Sequence, residues 1–228
     1  MNDREILAEV SRSMTMEADE LRALTSELDG EKVVAVAKAL MNCRGKVILS
    51  GCGTSAMAAK KIAHSLNCIE IPALFLTPSD AVHGGLGVLQ EEDVLILISK
   101  GGNTQELVNL IPACRTKQAL LIGVSENPDS AIAREADIYL RVKVAREPCR
   151  FNMLATASTR EVISALDSIC TALMQMTGCT REQFAVIHPG GAAGDRLAKS
   201  AFCRAAVAAE NRAYFSPRLR TRNSARLF

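Results

Sequence analysis

Lys46-Val-Ile-Leu-Ser-Gly-Cys-Gly-Thr-Ser55 runs from a short apolar stretch into a glycine loop and then into helical sequence, and that order decides the fold. Residues 54–67 continue as a helix, so the segment reads as strand, tight turn, helix. The same alternation repeats outward. Ala73–Thr77, Val94–Ser99, Ala119–Val124 and Asp137–Val142 read as further strands, with helical pieces at 79–84, 103–117 and 129–135 between most of them. Strands that are apolar along most of their length are buried on both faces, which is the habit of a parallel sheet. Alternating strands and helices predict a doubly wound, three-layer α/β/α sandwich with five parallel strands and right-handed crossovers. Upstream, apolar residues recur at helical spacing over 3–28 (Ile6, Leu7, Val10, Met14, Leu21, Leu24, Leu28) and again over 31–43, predicting two amphipathic helices. The first is long and Glu-rich, and its apolar stripe is expected to pack on another subunit. Downstream, 157–177 reads as a long helix and 180–187 as a short one.

With 228 residues, 48% of them hydrophobic and 23% charged, the chain suits one α/β domain with appended helices. A net charge of +2 gives no global pull toward nucleic acid or membrane. The charge is uneven: residues 198–228 hold seven Lys or Arg against Glu210 alone, +6, which leaves −4 for the rest. This basic tail reads as a solvated end or an oligomer contact, and no nucleic-acid partner is expected. No apolar run reaches the roughly 18–20 residues that span a bilayer. The start lacks a charged-then-apolar leader, so a cytoplasmic protein is expected. The eight cysteines are scattered without a CxxC pair, which predicts free thiols and no metal site.

Ligands of open parallel sheets sit beyond the carboxyl ends of the strands. Two of those ends carry loops suited to a phosphate. The first is Ser50-Gly-Cys-Gly53-Thr54-Ser55, where glycines let backbone approach a ligand and a helix N-terminus offers free N–H groups. The second is Ser99-Lys100-Gly101-Gly102-Asn103-Thr104, with two hydroxyls, a cation and another helix start. A dinucleotide fingerprint, Gly51-Cys-Gly53-Thr-Ser-Ala56, is the competing reading. The ribose-binding acid it requires would be Glu70, just before Ile71-Pro72 and too early for a strand end. No nicotinamide or other cofactor is therefore expected. Two hydroxyl-rich loops on different strands suit one phosphate held from two sides; tight turns without a ligand remain the plainer alternative.

In order along the chain, Gly45–Ser55, Ala81-Val-His-Gly-Gly-Leu-Gly87, Ser99–Glu106, Val142–Glu147, Ala155–Thr159 and Phe184-Ala-Val-Ile-His-Pro-Gly-Gly-Ala-Ala-Gly194 resemble the SIS (sugar isomerase) family. Within it they are most similar to the arabinose 5-phosphate isomerases of bacterial polysaccharide synthesis. The resemblance covers roughly residues 30–197 and implies N-terminal helices over 1–44, a SIS domain over 45–197 and a tail over 198–228. Family members often carry a pair of CBS modules after this domain. Only about thirty residues follow here, so a short, SIS-only form is expected.

Aldose–ketose interconversion opens a hemiacetal and moves a proton between C1 and C2 through an enediol. It calls for an acid–base group near the carbons and an anchor for the phosphate. The resemblance places His83 and His188 at the histidine positions of the family's active-site blocks and makes Glu106 and Glu147 its acids. Glu147 is expected to be the proton-transfer base, with Glu106 orienting it or the sugar. Glu106 also fits a capping box, Asn103-Thr-Gln-Glu106. Gly53, Thr54, Ser55, Ser99, Lys100, Gly101, Asn103 and Thr104 are expected to hold the phosphate. Related enzymes place a lysine where Thr54 stands and favour a serine where Gly101 stands. Lys100, outside the usual pattern, is positioned to restore the lost charge. The family habit of sharing sites between subunits implies a homotetramer. A non-catalytic sugar-phosphate sensor, or an isomerase for another ketose phosphate, is the alternative function.

Overall fold

The computed structural model describes residues 1–198; the rest of the basic tail lies outside them. Among the described residues, five parallel strands form one sheet: β1 (Val47–Gly51), β2 (Ala73–Phe75), β3 (Val94–Ile98), β4 (Leu120–Ser125) and β5 (Ile138–Arg141). Their order is β2-β1-β3-β4-β5. Each falls within a residue or two of its expected position. The helices in chain order are α1 (Asp3–Glu27), α2 (Gly30–Met41), α3 (Thr54–Asn67), α4 (Pro78–Ala81), α5 (Gln105–Val108), α6 (Ile111–Thr116), α7 (Ala131–Glu135), α8 (Ala157–Met176), α9 (Arg181–Ile187) and α10 (Gly191–Ala198), with a 3-10 turn over Gly85–Val88.

The strands divide their side chains between two cores. Val47, Leu49, Val94, Ile96, Ile98, Ile122 and Val124 face α1, α2, α3 and α8. Ile48, Leu95, Leu97 and Leu121 face α5, α6 and α7 on the other side. A period of two with both faces buried is what an apolar strand run encodes. Helices α3 and α5, which follow neighbouring strands β1 and β3, therefore lie on opposite faces. The chain switches direction between those strands, and a crevice opens there above the carboxyl edge.

Two expectations need correction. The helix expected over 103–117 is broken into α5 and α6, because Pro112 lacks the N–H that a continuous helix would use and stands in the first turn of α6. The capping box around Glu106 does not form. Thr104 is the N-cap of α5 and makes no side-chain cap bond. Asn103 instead accepts from the Ala131 N–H at 2.8 Å, tying the second glycine loop to the start of α7.

The chain divides into two compact units, residues 1–178 and the part from Cys179 onward. In the first, α1 and α2 pack on α8. In the second, α9 is capped by a Thr180–Gln183 capping box, and α10, which the sequence reading did not separate from its loop, packs on α9.

Candidate functional site

Beyond the carboxyl ends of β1, β3 and β4 lies a small pocket, part of it open to solvent. Loop backbone conformation builds its rim. Gly53, with φ +57°, turns the chain from β1 into α3 and leaves Thr54 and Ser55 at the pocket. Gly102, with φ +69°, does the same after β3, and it is pressed against Ser130 so closely that a Cβ would fall 2.1 Å from that hydroxyl. Ser99 braces this second loop by accepting from the Gly102 N–H at 3.1 Å and sharing a hydrogen bond with Thr104 at 2.8 Å. Gly101 has open space around its Cβ position, so packing does not require a glycine there.

Of the described residues lining the pocket, Thr54, Ser55, Ser99, Ser125, Ser158 and Thr159 carry hydroxyls and Lys100 is the only charged side chain. Ala58, Ile98, Val124, Val142, Ala155 and Val162 complete it. Hydroxyl donors, a cation and no carboxylate in the wall are chemistry that suits an anion.

Behind Lys100 sits Glu147, whose side chain is 0% exposed. One carboxylate oxygen accepts from Lys100 Nζ at 2.8 Å; the other accepts from the backbone N–H groups of Thr156 at 3.0 Å and Ser158 at 3.4 Å, at the N-terminus of α8. Burial pushes the carboxyl pKa up, but the hydrogen bonds from Lys100, Ser158 and Thr156 outweigh it and hold Glu147 below the usual carboxylate value. The segment that carries Glu147 has no strand or helix of its own. It is tied down from α1, where Glu20 accepts from the Ala145 and Arg146 N–H groups at 2.7 and 3.1 Å and Arg12 donates to the Pro148 carbonyl at 2.7 Å. Two residues past Glu147, the Cys149 thiol accepts from the Met153 and Leu154 N–H groups, and these bonds lower its pKa. Cys43, Cys52, Cys68, Cys114, Cys149 and Cys170 are free thiols.

The structure thus gathers Thr54, Ser55, Ser99 and Lys100 at one pocket with Glu147 directly behind. Gly53, Gly101, Asn103 and Thr104 shape the loops without lining it. His83 is exposed just after α4, and Glu106 is exposed in α5, which lies against α4; neither reaches the pocket wall. His188, in the second unit, stacks on Phe184 with ring centroids 4.0 Å apart, its Nδ1 2.9 Å from the Phe184 carbonyl oxygen. Ser125 escaped the sequence reading, and Ser158 and Thr159 entered it only within the Ala155–Thr159 block, without a role in the site. Ser125 ends a strand that was correctly placed, and Ser158-Thr159 open a long helix; both positions are where an anion site draws its donors. Among the described residues no group of three or more His, Cys, Asp or Glu is arranged to hold a metal, and no helix is long and apolar enough to cross a membrane.

A family model for the SIS domain matches residues 40–173, from the end of α2 to the last turns of α8. The chain belongs to the SIS domain family. This SIS chain is 38% identical over 160 residues to arabinose 5-phosphate isomerase KdsD of Yersinia pestis, an alignment covering 70% of this chain and 49% of that one. It spans about half the length of the curated relatives it matches. Among solved structures, a candidate sugar-phosphate isomerase from Listeria monocytogenes is 56% identical, with a TM-score of 0.82 over 83% of this chain and 100% of the other. An Escherichia coli protein solved in complex with arabinose 5-phosphate is 27% identical, with a TM-score of 0.80 over 83% and 100% of the two chains.

Proposed function

We propose that this chain is an aldose–ketose isomerase that interconverts D-arabinose 5-phosphate and D-ribulose 5-phosphate. The observation that carries the reading is the pocket of hydroxyls and one lysine at the β1/β3 switch, backed by a buried carboxylate. The names of the relatives agree with it in substrate and reaction.

In this reading Thr54, Ser55, Ser99, Lys100 and the loop N–H groups grip the phosphate, and Glu147 is the base. Glu147 takes the proton from C2 of the open aldose. The C–H pair becomes the C1=C2 bond of the enediol, and the former carbonyl pair goes to O1, which is protonated in turn. Return of a proton to C1 and loss of one from the C2 hydroxyl give the ketose. His83, Glu106 and His188 are assigned to ring opening and to orienting the sugar, His83 and Glu106 from a neighbouring subunit, since neither reaches the pocket of its own chain. No metal or cofactor enters this chemistry. A homotetramer with shared sites is part of the same proposal. It is supported by the exposed apolar stripe Ile6, Leu7, Val10 and Met14 on α1 and by exposed Phe151, Met153 and Leu154 beside the site.

A second reading has an observation of its own. A carboxylate held by three donors and kept at a low pKa suits a sugar-phosphate-binding module that performs no turnover. One assay separates the two. Conversion of arabinose 5-phosphate to ribulose 5-phosphate is followed without cofactor, beside the Glu147→Gln variant. Turnover that drops at least ~100-fold in the variant is expected for loss of a general base. Binding of the phosphosugar with no turnover by the unsubstituted chain overturns the isomerase reading in favour of the binding module.

A further inference from the structure

Lys100 and Glu147 stand in unequal relation to the pocket. Lys100 lines it with a side chain 39% exposed, while Glu147 is wholly buried and forms no part of the lining. The donors on the far carboxylate oxygen are backbone N–H groups fixed at the start of α8. The near oxygen depends on a flexible four-carbon tether with solvent on one side. Lys100 is thus the movable member of a set whose other members are immobile. A tetrahedral dianion seated among the six hydroxyls meets the same ammonium, the only charged side chain of the lining among the described residues.

We propose that Lys100 serves two anions in turn, passing from Glu147 to the phosphate of a bound ligand, so that phosphate binding itself turns Glu147 from a pinned carboxylate into a proton acceptor. The inference rests on reading the pocket as a phosphate site.

The charges around Glu147 support the exchange. Lys100 is the charged side chain bonded to it; Arg12 and Glu20, reaching in from α1, touch the segment only at the Pro148 carbonyl and the Ala145 and Arg146 N–H groups. From α8 come only the Thr156 and Ser158 donors. Among the described residues Lys100 is the one cation hydrogen-bonded to Glu147, so its departure leaves the carboxylate with backbone donors alone. A buried carboxylate that gains a dianion nearby and loses its cation is driven to bind a proton. With an inorganic dianion that proton comes from solvent. With an aldose phosphate it is the one leaving C2. Recognition of the phosphate end thereby readies the group that acts at the carbonyl end.

Inorganic sulfate is the probe, because it is a tetrahedral dianion that does not itself titrate near neutral pH. Calorimetry in buffers of different ionisation heat counts protons taken up on sulfate binding, and difference infrared spectra report a protonated carboxyl. The unsubstituted chain is expected to take up as much as one proton per sulfate and to show the carboxyl band. Glu147→Gln is expected to bind sulfate tighter, by roughly tenfold, because the lysine no longer has a competitor, and to show neither proton uptake nor the band. Lys100→Met is expected to lose sulfate binding by a similar factor. Sulfate binding without proton uptake, weaker binding by Glu147→Gln, or no sulfate binding at all overturns the exchange. Turnover of arabinose 5-phosphate without sulfate-linked proton uptake removes the exchange and leaves the isomerase reading standing; proton uptake without turnover does the reverse.

Discussion

Glu147 keeps its charge out of contact with solvent because a lysine and two helix-terminal N–H groups surround it. That environment was half legible in the sequence. The end of the fifth strand and the resemblance marked Glu147, and the glycine loop marked Lys100, but the two lie 47 positions apart and no spacing rule joins them. Their pairing makes Lys100 responsible for two anions, so its loss should register in binding first. Lys100→Ala is expected to raise the KM for the phosphosugar more than tenfold, the size of one charge-assisted hydrogen bond of about 1.5–3 kcal/mol. Thr54 is exposed at the first position of α3, facing the same pocket. Thr54→Lys in the Lys100→Ala background should recover most of that KM if the phosphate sits between the two loops. Steady-state kinetics on the single and double variants checks both; a double variant no better than Lys100→Ala places the phosphate elsewhere.

The elements follow from local rules wherever the rule is local. Strand positions were legible because both-sided burial leaves long apolar runs, and the sheet order put the crevice at β1/β3. Pro112 stood in plain view as the breaker that divides α5 from α6. The attachment of Asn103 to Ala131 was not legible, because a side chain that looks like a cap had a better partner on another loop. That attachment, the Ser99 brace and the left-handed Gly102 together make the 99–104 loop rigid. Gly102→Ala would combine a positive φ with a methyl 2.1 Å from the Ser130 hydroxyl. It is expected to cost at least about 1–3 kcal/mol of stability and to weaken phosphosugar binding. Chemical denaturation beside a binding isotherm tests it, and an unchanged midpoint would show that the loop yields freely.

At the scale of the whole molecule, two buried acids pull the pH dependence in opposite directions. Glu147 has a lowered folded pKa, so its stabilisation is present above the ordinary carboxylate value and is lost as pH falls through the folded one. Glu161, on α8 beneath α1, is buried with neither carboxylate oxygen hydrogen-bonded, while nearby Arg160 pairs with Glu17 at 2.7 Å. Burial first, and then the charges of Glu20 and Glu17, push Glu161 from 4.5 to about 7 against the pull of Arg160. The folded protein therefore holds that proton more tightly than the unfolded chain, and stability declines as pH rises from 4.5 to about 7. Glu161→Met should remove the decline and raise stability above pH 7 by roughly 1–3 kcal/mol, the cost of a buried polar group without a partner. Thermal melts of both proteins from about pH 5 to 8 would show it; parallel curves would mean that Glu161 finds a partner in solution.

The contact of α1 with the segment that carries Glu147 has a kinetic consequence. Ala145 and Arg146 lie in a segment with no ladder to protect their amides, yet both donate to the carboxylate of Glu20. Hydrogen exchange should find these two amides slow in an otherwise fast loop. Their opening free energy should equal that of lifting α1 from the body rather than that of unfolding the sheet. Glu20→Ala should release them to loop rates while the strand amides stay protected. Deuterium uptake at two positions beside Glu147 thus becomes a gauge of how firmly the first helix is seated.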